Sequence, residues 1–159
     1  MFGLTSYSTQ KGAKNVGYRQ VDISGKTPSS RTATASGRIL LKPRTVELIR
    51  EGMIEKGDPI SLSKITGIMA AKMTPQLVIL CHPLKIESTK VEATLEKGGI
   101  KVVVTVSATE KTGVEMEALT AVVVALLNVW DVVKQYEKDA RGQYPATRIN
   151  DVMVLRKSK

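Results

Sequence analysis

From Lys90 to Glu96, Val91, Ala93 and Leu95 alternate with Lys90, Glu92, Thr94 and Glu96, the period of a strand with one wet face. Lys97-Gly98-Gly99 supplies a turn. Ile100, Val102, Val104 and Val106 then form the buried face of a returning strand, which predicts an antiparallel hairpin over residues 85–109. Elsewhere the period is helical. Pro43 suits the first position of a helix whose buried side is Val46, Leu48 and Ile49 and which Gly52 ends. Asp58 followed by Pro59 reads as the cap and first residue of a second helix, in which Ile60, Ile65, Ile68, Met69 and Met73 recur at helical spacing until Pro75. Residues 113–138 predict a long, mainly apolar helix. The short apolar run at residues 37–42 predicts an opening strand, and Val152 and Val154, alternating with Asp151 and Met153, a closing one. Strand, helices, strand, strand, helix, strand is the split βαβ plan: an α+β, ferredoxin-like antiparallel sheet with helices packed on one face.

Residues 1–35 break this regularity. They are rich in Ser, Thr, Gly and Lys and are expected to form a mobile basic N-terminal arm able to order against the fold or a partner, leaving residues 36–159 as a single domain. A chain of 159 residues with 42% hydrophobic and 25% charged residues suits one ordinary globular core. No uninterrupted apolar run approaches the ~20 residues that span a bilayer, and the first thirty residues are polar, so neither a membrane helix nor a signal peptide is predicted and a cytoplasmic location is expected. The lone cysteine, Cys81, rules out an internal disulfide.

The net charge of +9 sits mostly at the ends: six basic groups face one acid in residues 1–38, and three face one in residues 151–159. Such a field attracts polyanions, a nucleotide triphosphate included. A basic ferredoxin-like domain also invites an RNA-binding reading, but those modules stack bases on sheet aromatics, and the strand from Ile100 to Thr109 has none. No nucleic-acid partner is therefore expected.

Candidate chemistry concentrates on the long helix. At about 100° per residue, Glu117, Thr120, Asn128 and Asp131 share one narrow stripe on an otherwise apolar cylinder. Carboxylates beside buried surface need partners or shifted pKa values, a frequent mark of function. Plain structural readings stand beside that one: an acid in the first helical turn complements the helix dipole, and Asp131 with Lys134 is an ordinary i, i+3 pair. His82 before Pro83 could equally be a satisfied surface histidine, Lys56 a solvated loop residue before a helix cap, and Arg156, Lys157 and Lys159 a solvated basic end. A structural zinc site is set aside, because about four Cys or His ligands are needed and Cys81 and His82 are the only two.

Three segments carry a sharper signal. Leu80-Cys81-His82-Pro83-Leu84, the run Lys-Thr-Gly-Val-Glu-Met-Glu-Ala-Leu-Thr-Ala from Lys111 to Ala121, and the Asp-x-x-Lys of Asp131 and Lys134 together resemble the C-protein family of molybdenum cofactor biosynthesis, the cyclic pyranopterin monophosphate synthases. Lys56-Gly57-Asp58, Ala70-Ala71 and the Val21–Ser24 segment fall in the same order, so the resemblance covers roughly residues 21–157. The chain departs from that family in having Ile54 and Glu55 where histidines are usual before the Lys-Gly-Asp loop, and in lacking a Gly-Gly-Lys-rich tail.

The resemblance implies a lyase that converts 3′,8-cyclo-7,8-dihydro-GTP to cyclic pyranopterin monophosphate with release of pyrophosphate, by acid–base catalysis and without a redox cofactor; the residues themselves offer no dedicated ligand set for a metal ion. It implies catalytic roles for Asp131 and Lys134. It implies substrate binding by Leu80, Cys81, His82, Met116, Glu117, Glu115, Lys56, Arg31 and Lys157. A non-catalytic nucleotide-binding module is the other reading of the same residues. On an unbroken helix Glu117 and Asp131 would lie about 21 Å apart along the axis, too far for one small pocket of one chain. An oligomer with sites shared across a twofold axis is therefore expected, and the resemblance suggests a hexamer built as a trimer of dimers.

Overall fold

The computed structural model describes residues 17–159. Eight elements follow one another: β1 (Ser29–Leu40), α1 (Pro43–Arg50), α2 (Pro59–Lys72), α3 (Thr74–Leu77), β2 (Ser88–Glu96), β3 (Gly99–Glu110), α4 (Glu115–Glu137) and β4 (Arg148–Ser158). The strands form one sheet in the order β2-β3-β1-β4, with every neighbouring pair antiparallel. This is the ferredoxin-like arrangement expected from the order of elements.

The hairpin and the long helix stand where their patterns place them. Ile100, Val102, Val104 and Val106 of β3 are buried, and α4 covers them with Ala118, Ala121, Val122, Ala125, Leu126 and Val129. By length and composition α4 could cross a bilayer, but half of its apolar window lies inside the fold, as a core helix does.

Two elements differ from expectation. β1 begins at Ser29, so the expected boundary at Ser36 falls inside a strand, and only residues 1–16 of the expected arm lie outside the described residues. Ala33 and Ala35 of β1 are buried, while Thr32 and Thr34 pair hydroxyl to hydroxyl with Ser107 and Thr105. Alanine and threonine alternate correctly but give little hydrophobic contrast. In α2 Ile60 and Leu62 pack at the edge of the core, but the later large side chains face outward: Ile65 is 59% and Met69 54% exposed. Pro59, Ser63, Gly67, Ala70 and Ala71 are the buried residues instead. A Cβ on Gly67 would sit 3.1 Å from Val91 and 3.6 Å from the Ala121 carbonyl, so the close approach of α2 to the sheet and α4 depends on small residues.

The buried carboxylate of Glu137, at the end of α4, ties two connections to that helix. It accepts from the Lys42 backbone N–H at 3.1 and 3.2 Å, just before α1, and from the Thr147 hydroxyl, just before β4. These bonds fix the far end of α4, where Asp131 and Lys134 lie.

Candidate active site

Each end of α4 holds a cluster of the residues singled out above. At the C-terminal end the Asp58 side chain caps α2, accepting from Ile60 and Ser61, and so orders the preceding Lys56-Gly57 turn. The Glu55 N–H donates to the Tyr136 hydroxyl at 3.0 Å and Gln135 donates to the Glu55 carboxylate at 3.0 Å, docking the turn on α4. Lys56 consequently reaches Asp131, with Nζ 3.0 Å from Oδ2, while Lys134 Nζ lies 2.6 Å from Oδ1. The Lys134 hydrogen bond first, and that of Lys56 next, hold the Asp131 carboxyl below the usual carboxylate range; Asp131 in turn raises Lys134. Asp131 is exposed rather than set against buried surface, so its partners and not burial set its state. Anion and cations are thus poised at the surface, with Lys134 holding its proton.

At the N-terminal end two carboxylates diverge. Glu115 pairs with Lys157, Nζ to Oε1 at 2.7 Å, and that bond, helped by Arg31, keeps its carboxyl below the ordinary range against a desolvation effect. Glu117 is only 2% exposed, and among the described residues its Oε2 finds no hydrogen-bond partner. Burial pushes its carboxyl upward, and Glu115 pushes it the same way. Carboxylates two residues apart therefore differ in kind, one an ionised anchor for a cation and the other inclined to keep its proton. Gly113 makes the first possible: a Cβ there would lie 2.7 Å from Glu115 Cδ and nearer still to its carboxylate oxygen.

The turn after α3 brings Leu80, Cys81 and His82 beside Glu117. Burial, and secondarily Glu117, pushes the Cys81 thiol up, which removes it as a thiolate nucleophile at neutral pH. His82 Nε2 donates to the Val21 carbonyl at 2.8 Å. Leu80, Cys81, His82, Met116 and Glu117 line a hollow of about 360 Å³. An adjoining hollow of about 820 Å³ is lined by Lys26, Arg31, Lys111, Glu115, Lys157 and Lys159 among others, and Lys26, Thr112 and Gly113 border both. The larger hollow sets five cationic side chains against one carboxylate side chain, so it favours a polyanion; the smaller is less charged, with Leu80, Cys81, Leu84 and Met116 beside Arg19, Lys26 and Glu117.

Of the residues predicted from sequence, Leu80, Cys81, His82, Glu115, Met116, Glu117, Arg31 and Lys157 thus gather at one end of α4, and Lys56, Asp131 and Lys134 at the other. The two groups are not brought together within one chain. Lys26 and Lys111 were missed as cleft residues, although Lys111 opens the eleven-residue motif; the place of Lys26 depends on the segment before β1 folding back, which no local pattern reports. Among the described residues no three or more His, Cys, Asp or Glu side chains are grouped so as to hold a metal ion.

Comparison with known proteins gives a consistent picture. The MoaC family model matches residues 20–159. A protein of Sulfurisphaera tokodaii named probable cyclic pyranopterin monophosphate synthase is 51% identical over 87% of this chain and 92% of its own length. One of Sulfolobus acidocaldarius with the same name is 52% identical over 87% of this chain and 97% of its own. A third, from Pyrococcus abyssi and again so named, is 50% identical over 100% of this chain and 97% of its own.

Proposed function

The chain belongs to the MoaC family, and on that premise we propose that it is a cyclic pyranopterin monophosphate synthase of molybdenum cofactor biosynthesis. Its substrate is 3′,8-cyclo-7,8-dihydro-GTP, which it rearranges to cyclic pyranopterin monophosphate with release of pyrophosphate. The observation that carries this reading is the pair of adjoining hollows: a cationic one, through Arg31, Lys157, Lys26 and Lys111, suits the phosphates, and a less charged one, through Leu80, Cys81, His82, Met116 and Glu117, suits the guanine-derived ring.

The rearrangement must move protons at ring nitrogens and oxygens, which needs acid and base groups in different states. Lys134, kept protonated by Asp131, is the proton donor; Asp131, kept ionised by Lys134 and Lys56, holds both ammonium groups until substrate phosphates displace them. Glu117, whose carboxyl burial pushes upward, faces the ring from the smaller hollow.

Asp131 and Glu117 act on one substrate only if they come from different subunits. The separation of about 21 Å along α4 supports this, and so do the exposed Ile65 and Met69 of α2, Met73 at the α2–α3 junction, Leu77 of α3 and the exposed Val152–Leu155 segment of β4, apolar surface of the kind subunits cover. We assign the working form to a homo-oligomer with sites shared between twofold-related subunits, a hexamer arranged as a trimer of dimers, in the cytoplasm. Incubating the purified protein with the cyclised nucleotide tests the reaction directly. Stoichiometric pyrophosphate and cyclic pyranopterin monophosphate are expected; tight binding without pyrophosphate would leave a nucleotide-binding module instead.

A further inference from the structure

The segment before β1 lies across the Leu80-Cys81-His82 turn and is held there by Gln20, which the reaction chemistry leaves unused, and by Lys111 at the border of the phosphate hollow. Gln20 Nε2 donates to the Cys81 carbonyl at 2.9 Å and to the Leu80 carbonyl at 3.3 Å. Four residues on, Lys111 Nζ donates to the Ser24 carbonyl at 2.9 Å, reaching over from the loop before α4. Between these two anchors the Val21 carbonyl meets His82 Nε2 at 2.8 Å. Asp22 stiffens the span by accepting from the Ser24 N–H at 2.8 Å.

A carbonyl oxygen can only accept, so Nε2 must carry a proton. In the neutral ring that leaves Nδ1 as the bare nitrogen, and His82 lines the same hollow as Glu117. Which nitrogen of an imidazole meets substrate is set by the bond the other one makes. Here that bond comes from a flanking segment whose position depends on Gln20 and Lys111.

We propose that Gln20 and Lys111 are positioning residues: by pinning residues 20–24 they set the Val21 carbonyl on His82, fix the ring as its Nε2–H form, and leave Nδ1 as the hydrogen-bond acceptor available to substrate. This rests on reading the His82 hollow as the substrate site. It gives His82 a role as an oriented hydrogen-bond acceptor.

His82 is the only histidine, so protein labelled with ¹⁵N-histidine has a single imidazole. The wild type should show an exchange-protected N–H proton on Nε2, identified because Nε2 couples to both ring carbon-bound protons through two bonds. Gln20 is exposed, so Gln20→Ala spares the core. In Gln20→Ala combined with Lys111→Met the protected proton should vanish with an unchanged thermal melt, and kcat/KM should fall about ten- to a hundredfold below that of Lys111→Met alone, which carries the loss of a phosphate cation by itself, the scale expected for a misaligned group. Lys111→Arg, which keeps a donor, should retain the signal. A wild-type proton on Nδ1, no protected proton, a signal that survives the double variant, or a lost signal with unchanged kcat/KM would each overturn the proposal. The spectra need no turnover: a wild type with the protected Nε2 proton but no pyrophosphate release would refute the synthase reading while upholding the ring geometry.

Discussion

Gly113→Ala offers a test in which one methyl group probes the cleft without touching any catalytic side chain. The new Cβ would lie 2.7 Å from Glu115 Cδ, against an ordinary carbon–carbon contact of about 3.5–4.0 Å, so the carboxyl must retreat by about 1 Å. The Lys157–Glu115 separation of 2.7 Å then stretches beyond hydrogen-bonding distance, and the cation of the phosphate hollow loses its anchor. Stability should change by less than about 1 kcal/mol, because Lys157 is largely exposed and such pairs contribute little. Catalysis should suffer more, since misplacement by about 1 Å costs up to a hundredfold. We expect kcat/KM for pyrophosphate release to fall about ten- to a hundredfold with a nearly unchanged melting temperature. The pH profile supplies a second readout. Glu115 is held ionised chiefly by Lys157, so freeing it raises its carboxyl toward the ordinary range and moves the acid limb of kcat/KM to higher pH. In a Glu115→Ala background there is nothing left to displace, and adding Gly113→Ala should cost nothing further. An undiminished kcat/KM, or an equal loss in both backgrounds, would refute the reasoning.

The hairpin was legible because valine and isoleucine mark one face of β3 against lysine, threonine and serine on the other. The face of α2 was not, because its contact with α4 and the sheet runs through Gly67, Ala70 and Ala71, whose burial depends on smallness and leaves no hydrophobic period; Ile65 and Met69 carried the visible period and point outward. The N-terminal half of β1 was hidden in the same way by Ala33 and Ala35. At the site, the motif residues were identifiable singly, and helix geometry separated Glu117 from Asp131 before any coordinates. What no pattern could report was contact across long sequence separations. Gln20 meets Cys81 and Lys111 meets Ser24 only because the fold brings their loops together, and the opposite shifts of Glu115 and Glu117 follow from Lys157 reaching the first and burial closing over the second.

Two further outcomes are expected. Glu117 is buried with a raised pKa, so the folded state binds its proton more tightly than the unfolded state does, and stability falls as pH rises from the ordinary carboxylate range through the raised value; Glu117→Gln should therefore melt higher than wild type by a margin that grows with pH, and a margin that shrinks on raising the pH would contradict the burial argument. Glu137→Ala leaves the Lys42 N–H and the Thr147 hydroxyl without their acceptor, and urea unfolding should show a loss of roughly 3 kcal/mol.

Sharing of the site between subunits is tested most directly by mixing two inactive variants, Glu117→Ala and Asp131→Ala, under conditions that exchange subunits. Each mixed dimer would hold one site with both residues intact and one with neither, so random pairing should restore about one quarter of wild-type pyrophosphate release. Mixed assemblies that form, as shown by differently tagged subunits eluting together, yet release no pyrophosphate would contradict it.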